Sequence, residues 1–237
     1  MFGLFKKSRP WDAEVDVVIV GTGAAGLTAA ITAHDNGAKV LVVERTDKVG
    51  GTTAVSGGGI WIPMNHHMGS AGFSDSRDEA LSYCKALTMG RADAELIEMF
   101  VDTAPQMIKY LEENTPLKFS VLTTPDYQPE VQGGKLGGRS IEPKPLDANI
   151  LGEWRSRLRP PNSISFPMTL QEAFETYQAF YRPWSIPQDV VVDRMSNDVV
   201  TMGQALVAGL LKAVLDRNIP IMLQTRARHL ITEEGRV

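Results

Sequence analysis

The sequence of 237 residues has a single cysteine, four histidines and no long apolar run. One thiol, Cys84, excludes an internal disulfide framework and any metal site built from cysteines alone. No stretch approaches the roughly 20 consecutive apolar residues that cross a bilayer as a helix, so no membrane span is expected. An excess of positive charge is missing too: 24 Lys and Arg face 28 Asp and Glu, a net charge of −4. That balance offers no basic surface to nucleic acid or to an anionic membrane. The opening Met1–Pro10 carries Lys6, Lys7 and Arg9 without the apolar core of a secretory signal, and residues 1–12 read as a tail. The cytoplasm is the expected compartment.

What is present is enough to fold. A hydrophobic share of 43% with 22% charged residues suits a globular chain with a sizeable core. Asp16–Val20 is a β-branched run of the kind buried on both faces of a parallel sheet. A glycine turn, Gly21–Gly26, leads into a predicted helix over Leu27–Asn36, which Gly37 is placed to stop. Lys39–Glu44 then reads as a second buried strand. Strand, turn, helix and strand within about 30 residues make a βαβ unit.

Farther on, Ser76–Thr88 and Ala92–Asn114 read as helices. The spacing of Leu96, Phe100, Met107 and Leu111 puts them on one face, and Pro105 predicts a kink or a fresh helix. Between Thr115 and Pro167 lie eight of the 14 prolines and the pairs Gly133-Gly134 and Gly137-Gly138. Phe119, Tyr127, Ile141, Trp154 and Phe166 argue that this long proline- and glycine-rich insertion is an ordered excursion. Gly203–Arg217 shows two adjacent apolar stripes, expected of a buried helix on a sheet. Ile221–Gln224 and His229–Thr232 read as short strands, Glu233-Glu234-Gly235 as a turn, and Arg236-Val237 as the start of a returning strand. A hairpin broken there leaves unpaired backbone, so the sequence reads as the N-terminal part of a longer protein.

The chemistry centres on Gly21-Thr22-Gly23-Ala24-Ala25-Gly26. Gly21 permits the tight turn, Gly23 lets backbone approach a pyrophosphate, and Gly26 lets helix and strand pack closely. A helix N-terminus with free N–H groups suits a diphosphate. Glu44 stands 18 residues past Gly26, at the end of the second strand. Its carboxylate can accept from ribose hydroxyls and would repel a 2′-phosphate, which disfavours NADP. A second glycine cluster follows: Gly50, Gly51, Thr52 and Thr53, then Ser56, Gly57, Gly58 and Gly59, with Arg45 between. A nicotinamide domain needs no such cluster, whereas the longer FAD needs a second backbone stretch to approach it closely. A plain surface loop is the alternative reading.

The segment DVVIVGTGAAGLTAAITAHDNGAKVLVVERTDKVGGTTAVSGGGIWIP resembles the FAD-binding segment of the fumarate reductase and 3-ketosteroid dehydrogenase superfamily. SGGGIWIP with Asn65-His66, and PDYQPEVQGGKLGGRSIEP, are closer to the ketosteroid branch. The resemblance implies a Rossmann-like α/β FAD-binding domain with a central parallel sheet over residues 13–237. It implies a flavin-dependent dehydrogenase in which a tyrosinate-like base removes a proton beside a ketone while flavin N5 takes a hydride. Its partners would be a steroid-like ketone and an electron acceptor. The resemblance carries an active-site role onto Tyr127 and an adenine contact onto Ala227 and Arg228. A free phenol, with pKa about 10, is a poor base unless a neighbour assists it, and a tyrosine merely packed in a proline-rich loop is the competing reading. Two rival functions stand beside this one: reduction of an unsaturated acid of the fumarate type, and dinucleotide binding without catalysis.

Other candidates point to bland roles. His66-His67 lacks a spaced set of further ligands and reads as a turn or surface pair, so no metal is expected. Cys84 reads as a small packed side chain. Arg155, Arg157 and Arg159 read as a solvated or salt-bridged stretch.

Overall fold

The structure, a computed structural model, describes residues 12–161, 167–179 and 181–232. The expected tail, Phe166 and the 233–237 turn and strand start lie outside the described residues, apart from Asp12 at the tail's end. Strand β1 (Val17–Val20), helix α1 (Ala24–Asp35) and strand β2 (Val40–Val43) form the expected βαβ unit. β2 is the central strand of a parallel three-stranded sheet. It pairs with β1 on one side and with β8 (Ile221–Met222) on the other. The helix starts three residues earlier than the sequence suggests, directly after Gly23. It stops at Asn36, and Gly37 follows with φ 88°.

Three expectations need correction here. β1 is not buried on both faces: Val17 and Ile19 pack into the core that contains Leu27 and Ile31, but Val18 and Val20 are 53% and 63% exposed. An apolar run shows that a strand is buried but not how many of its faces are covered. The last strand is shorter than read, two residues instead of four. His229–Thr232 is irregular and exposed, with Leu230 and Ile231 open to solvent, so no second strand forms there.

Strand β3 (Ile60–Trp61) leads to helices α2 (Arg77–Thr88) and α3 (Ala94–Asn114). α3 runs continuously through Pro105, so no fresh helix begins there. Its buried stripe is Ile97, Val101, Ala104, Ile108 and Leu111. Of the face predicted from sequence, Leu111 is buried, while Leu96 and Phe100 are exposed. The helical period matches: the C-terminal half of the face holds, with Leu111 buried and Met107 half-buried against the core, while the N-terminal half of the stripe sits one position on, at Ile97 and Val101.

The excursion is ordered where it is described. Strands β4 (Phe119–Val121) and β5 (Ser140–Pro143) pair antiparallel, and β3 joins β5 on its other edge. Strand β6 (Leu146–Asp147) pairs with β7 (Val199–Val200), which follows helix α4 (Gln188–Ser196). Arg155 forms a two-pronged ion pair with Asp198 at 2.6 and 2.7 Å, as expected for a salt-bridged stretch. Helix α5 (Met202–Asp216) is the core's centrepiece, with 11 of its 15 residues buried. Its two apolar stripes face α1 and the β4–β5 region together.

Candidate functional site

Among the described residues, two concavities that share no lining residue bear on function. The first, of about 480 Å³, lies at the carboxyl ends of β1 and β2. In open parallel sheets that is where ligands bind. Gly21 turns the chain at φ 100°, and a Cβ on Gly26 would stand 2.3 Å from the Gly21 carbonyl oxygen. Only glycine at position 26 lets α1 start so close to the turn. Gly23 caps helix α1 without a side chain and its first turn carries no acidic residue, so neither offsets its positive end. The Ala24 N–H donates to Thr53 Oγ1 at 3.1 Å, which ties the second glycine cluster to the first.

Glu44 is buried on the floor between them. Oε2 accepts from the Thr22 N–H at 3.1 Å and the Thr22 hydroxyl at 2.6 Å. Oε1 accepts from the Thr46 N–H at 3.0 Å. Burial pushes the Glu44 carboxyl up, but the Thr22 and Thr46 donors outweigh it and hold the group below its ordinary value. The carboxylate is therefore ionised at neutral pH. The Thr46 hydroxyl lies 2.8 Å from the Lys48 carbonyl and 3.1 Å from Glu44 Oε1. It has one hydrogen to give, and when that goes to Lys48, Oε1 keeps a lone pair open for a ligand hydroxyl.

Gly21, Gly23, Ala24, Ala25, Glu44, Arg45, Gly51, Thr52, Thr53 and Ala227 all line this cavity. Other sequence candidates do not. Gly26 and Gly50 lie behind the wall, the latter against Ala54 and Val207. Ser56 accepts the Gly203 N–H at the start of α5, and Gly57, Gly58 and Gly59 pack against Leu170 and Met202. Arg228 is exposed outside the wall. Sequence reasoning missed Thr22, Thr225 and Arg226. The Thr225 N–H donates to the Glu44 carbonyl, extending the β2–β8 side along the cavity.

The second concavity, of about 650 Å³, is apolar. Trp61, Tyr83, Phe100, Leu122, Leu170 and Phe174 contribute to its wall. Trp61 stacks on Tyr83 and Phe100 at 5.8 and 5.9 Å, which explains why Phe100 faces away from the α3 core stripe. Tyr127 stands at this cavity, fully exposed, and does not line the glycine-rich one. Two carboxylates, Asp126 and Glu175, reach the cavity, and no Lys, Arg or His lines it among the described residues. Glu175 Oε1 is buried there without a hydrogen-bond partner among the described residues. Burial raises the Cys84 thiol pKa, so this wall residue stays protonated, in line with a packed side chain.

Behind the aromatic wall lies a network with no mark in the sequence. Arg139 is wholly buried. Its Nε and Nη2 reach the two Asp75 oxygens at 2.8 and 2.6 Å, and Nη1 reaches Asp126 Oδ2 at 3.0 Å. Asp126 also accepts from Trp61 Nε1 at 2.7 Å and from the Lys135 N–H at 2.9 Å. The residue before Tyr127 is thus fixed on four sides, counting its own N–H to the Lys135 carbonyl. Burial pulls the guanidinium pKa down, but the two aspartates overcome it and raise the value.

With this geometry in view, the family model for an FAD binding domain matches residues 16–237. The chain belongs to this FAD-binding family. It is 38% identical over 236 residues to a 3-oxosteroid 1-dehydrogenase of Mycolicibacterium smegmatis, covering 94% of this chain and 41% of that protein. It is 40% identical over 219 residues to a 4-oxocyclohexanecarboxylate 2-dehydrogenase of Sinomonas cyclohexanicum, covering 91% and 37%. Among solved structures it matches a 3-ketosteroid Δ1-dehydrogenase from Sterolibacterium denitrificans in complex with 1,4-androstadiene-3,17-dione. That match has a TM-score of 0.86 and 37% identity over 92% of this chain and 42% of the other. The chain therefore spans about two fifths of the length of these relatives. The cofactor is FAD. The cavity's donors, ionised carboxylate and positive helix end fit its diphosphate and ribose. No helix among the described residues is long and apolar enough to cross a membrane.

Proposed function

We propose that the polypeptide carrying this chain is an FAD-dependent dehydrogenase that introduces a C=C bond next to the ketone of a neutral, steroid-like substrate. FAD, when bound, supplies the hydride acceptor. The α1 N-terminus and the Gly21–Gly26 backbone would hold the diphosphate, and Glu44 would orient the ribose through its open lone pair. Tyr127 would hold or receive a proton at its phenol oxygen, on a backbone fixed by Asp126.

The observation that carries the substrate class is the aromatic cavity, with acids but no cation on its described wall. Apolar walls take up a steroid-sized body, whereas the described wall offers a substrate carboxylate no cationic partner, the Arg139 charge behind it being taken up by Asp75 and Asp126. The names of the relatives support both a steroid and an oxocyclohexane carboxylate, and the charge of this wall favours the neutral one. Reduction of a fumarate-type acid would need a cationic clamp, which this cavity does not offer among the described residues. The test is anaerobic mixing of the full-length flavoprotein with a 3-ketosteroid, with 4-oxocyclohexanecarboxylate and with succinate. Loss of the flavin's visible absorption with the steroid alone is expected. Bleaching by either carboxylate without the steroid would reject the reading.

A further inference from the structure

Apart from both cavities, the loop after β3 gathers two imidazoles and a carboxylate around one point. Met64 takes a left-handed conformation at φ 52°, and a turn over Asn65–Met68 follows it. Neighbouring side chains of an extended segment point to opposite sides. This turn instead brings the His66 and His67 rings together, 4.1 Å between centroids and tilted by 38°. Both Nε2 atoms face a single oxygen, Glu112 Oε2 on α3, at 2.7 Å from His66 and 3.0 Å from His67. All three atoms lie within 4.8 Å of one another.

The supports behind these groups are also in place. Glu112 Oε1 accepts the Phe119 N–H at 2.9 Å, which aims Oε2 at the histidines, and this side chain is only 11% exposed. The His67 N–H donates to Asn65 Oδ1 at 3.2 Å. Asn65, itself buried, donates to the carbonyls of Ile62 and Gly138 at 2.9 and 2.8 Å. A ligating carboxylate is held in the same way in metal sites, its second oxygen hydrogen-bonded as Glu112 Oε1 is here.

We propose that His66, His67 and Glu112 bind one divalent first-row transition ion of the zinc, cobalt and nickel class, with water completing the coordination. Two imidazoles and one carboxylate suit these borderline ions better than calcium or magnesium, which prefer all-oxygen sets. Ligands about 2.1 Å from one ion stand about 3.0 Å apart at a right angle and about 3.4 Å apart at the tetrahedral angle. The His67 separation of 3.0 Å matches the right-angled arrangement, and the His66 separation of 2.7 Å would have to widen to reach it. A bound ion would pin the 62–75 loop to α3. That loop carries Asp75, the partner of Arg139. Sequence reading left the histidine pair without a third ligand because Glu112 lies 45 residues beyond His67.

The test is equilibrium dialysis of the EDTA-stripped full-length polypeptide against Zn²⁺, with X-ray absorption at the zinc edge. One zinc per chain with two imidazole ligands is expected. His66→Ala, His67→Ala and Glu112→Gln should each weaken binding by about 100-fold or more, since even supporting residues cost about 10–100-fold. His34→Ala, far along the chain on α1, should leave binding unchanged. Melting in EDTA checks the fold: the variants should match the parent there, and zinc should raise the melting temperature of the parent alone. Absence of stoichiometric zinc, or zinc that survives the loss of both His66 and His67, would overturn the proposal.

Discussion

Arg139→Met isolates the energetics of the buried network. The guanidinium is fully buried, and its partners Asp75 and Asp126 are 0% and 2% exposed at their side chains. Removing the cation leaves two buried carboxylates without their counter-charge. Asp75 would keep the Met64 and Ser76 N–H groups, and Asp126 would keep Trp61 Nε1 and the Lys135 N–H. Breaking a buried pair by deleting one partner costs about 3–5 kcal/mol. For a chain of this size each kcal/mol moves the melting temperature by about 2–4 °C, so the loss is roughly 6–20 °C. The assay is thermal unfolding followed by circular dichroism. Neutralising the stranded acids with Asp75→Asn and Asp126→Asn in the same molecule should recover much of the loss, because the penalty comes from unpaired charge and not from lost volume. A melting temperature within 2 °C of the parent, or a triple variant worse than the single one, would refute this reasoning.

Gly26→Ala places a Cβ 2.3 Å from the Gly21 oxygen. It should cost about 1–3 kcal/mol by overpacking and reduce flavin content, read as the ratio of visible to ultraviolet absorbance. Glu44→Gln tests the depressed carboxyl. A folded pKa below the unfolded value contributes stability that is present above about pH 4.3 and is lost as pH falls through the folded pKa. Urea midpoints should therefore show Glu44→Gln weaker at pH 7, with the gap closing on acidification below pH 4. Tyr127→Phe removes only an exposed hydroxyl, so stability should change by less than about 0.5 kcal/mol. Steroid turnover should fall roughly 100-fold or more if the phenol handles the proton, and unchanged turnover would remove Tyr127 from the site.

The βαβ unit and its cradle were legible because local rules specify them. β-branched runs, glycines at fixed offsets and a carboxylate at the strand end all act within one short segment. Depth of burial was less legible. Val18 and Val20 look like core residues in sequence, but the second face of β1 is open. On α3, Phe100 carries a core-like side chain and yet turns outward, because Trp61 offers it a stacking surface. Contacts between distant residues were not legible at all. Nothing in the sequence ties Asp75 to Arg139, or His66 and His67 to Glu112, and the β3–β5–β4 sheet pairs segments separated by two helices. The same limit applies to the second glycine cluster: Ser56 and Gly58 meet Met202 and Gly203 at the start of α5, Gly57 meets Leu170, and Gly59 lines the aromatic cavity, all through partners far along the chain.

The most direct test of the central claim is a count of the nucleotide released when the purified full-length polypeptide is denatured by heat. A yellow protein that yields one FAD per chain is expected, with Gly26→Ala yielding much less at equal protein concentration. A colourless protein, or one that releases a nicotinamide dinucleotide in place of FAD, would contradict it.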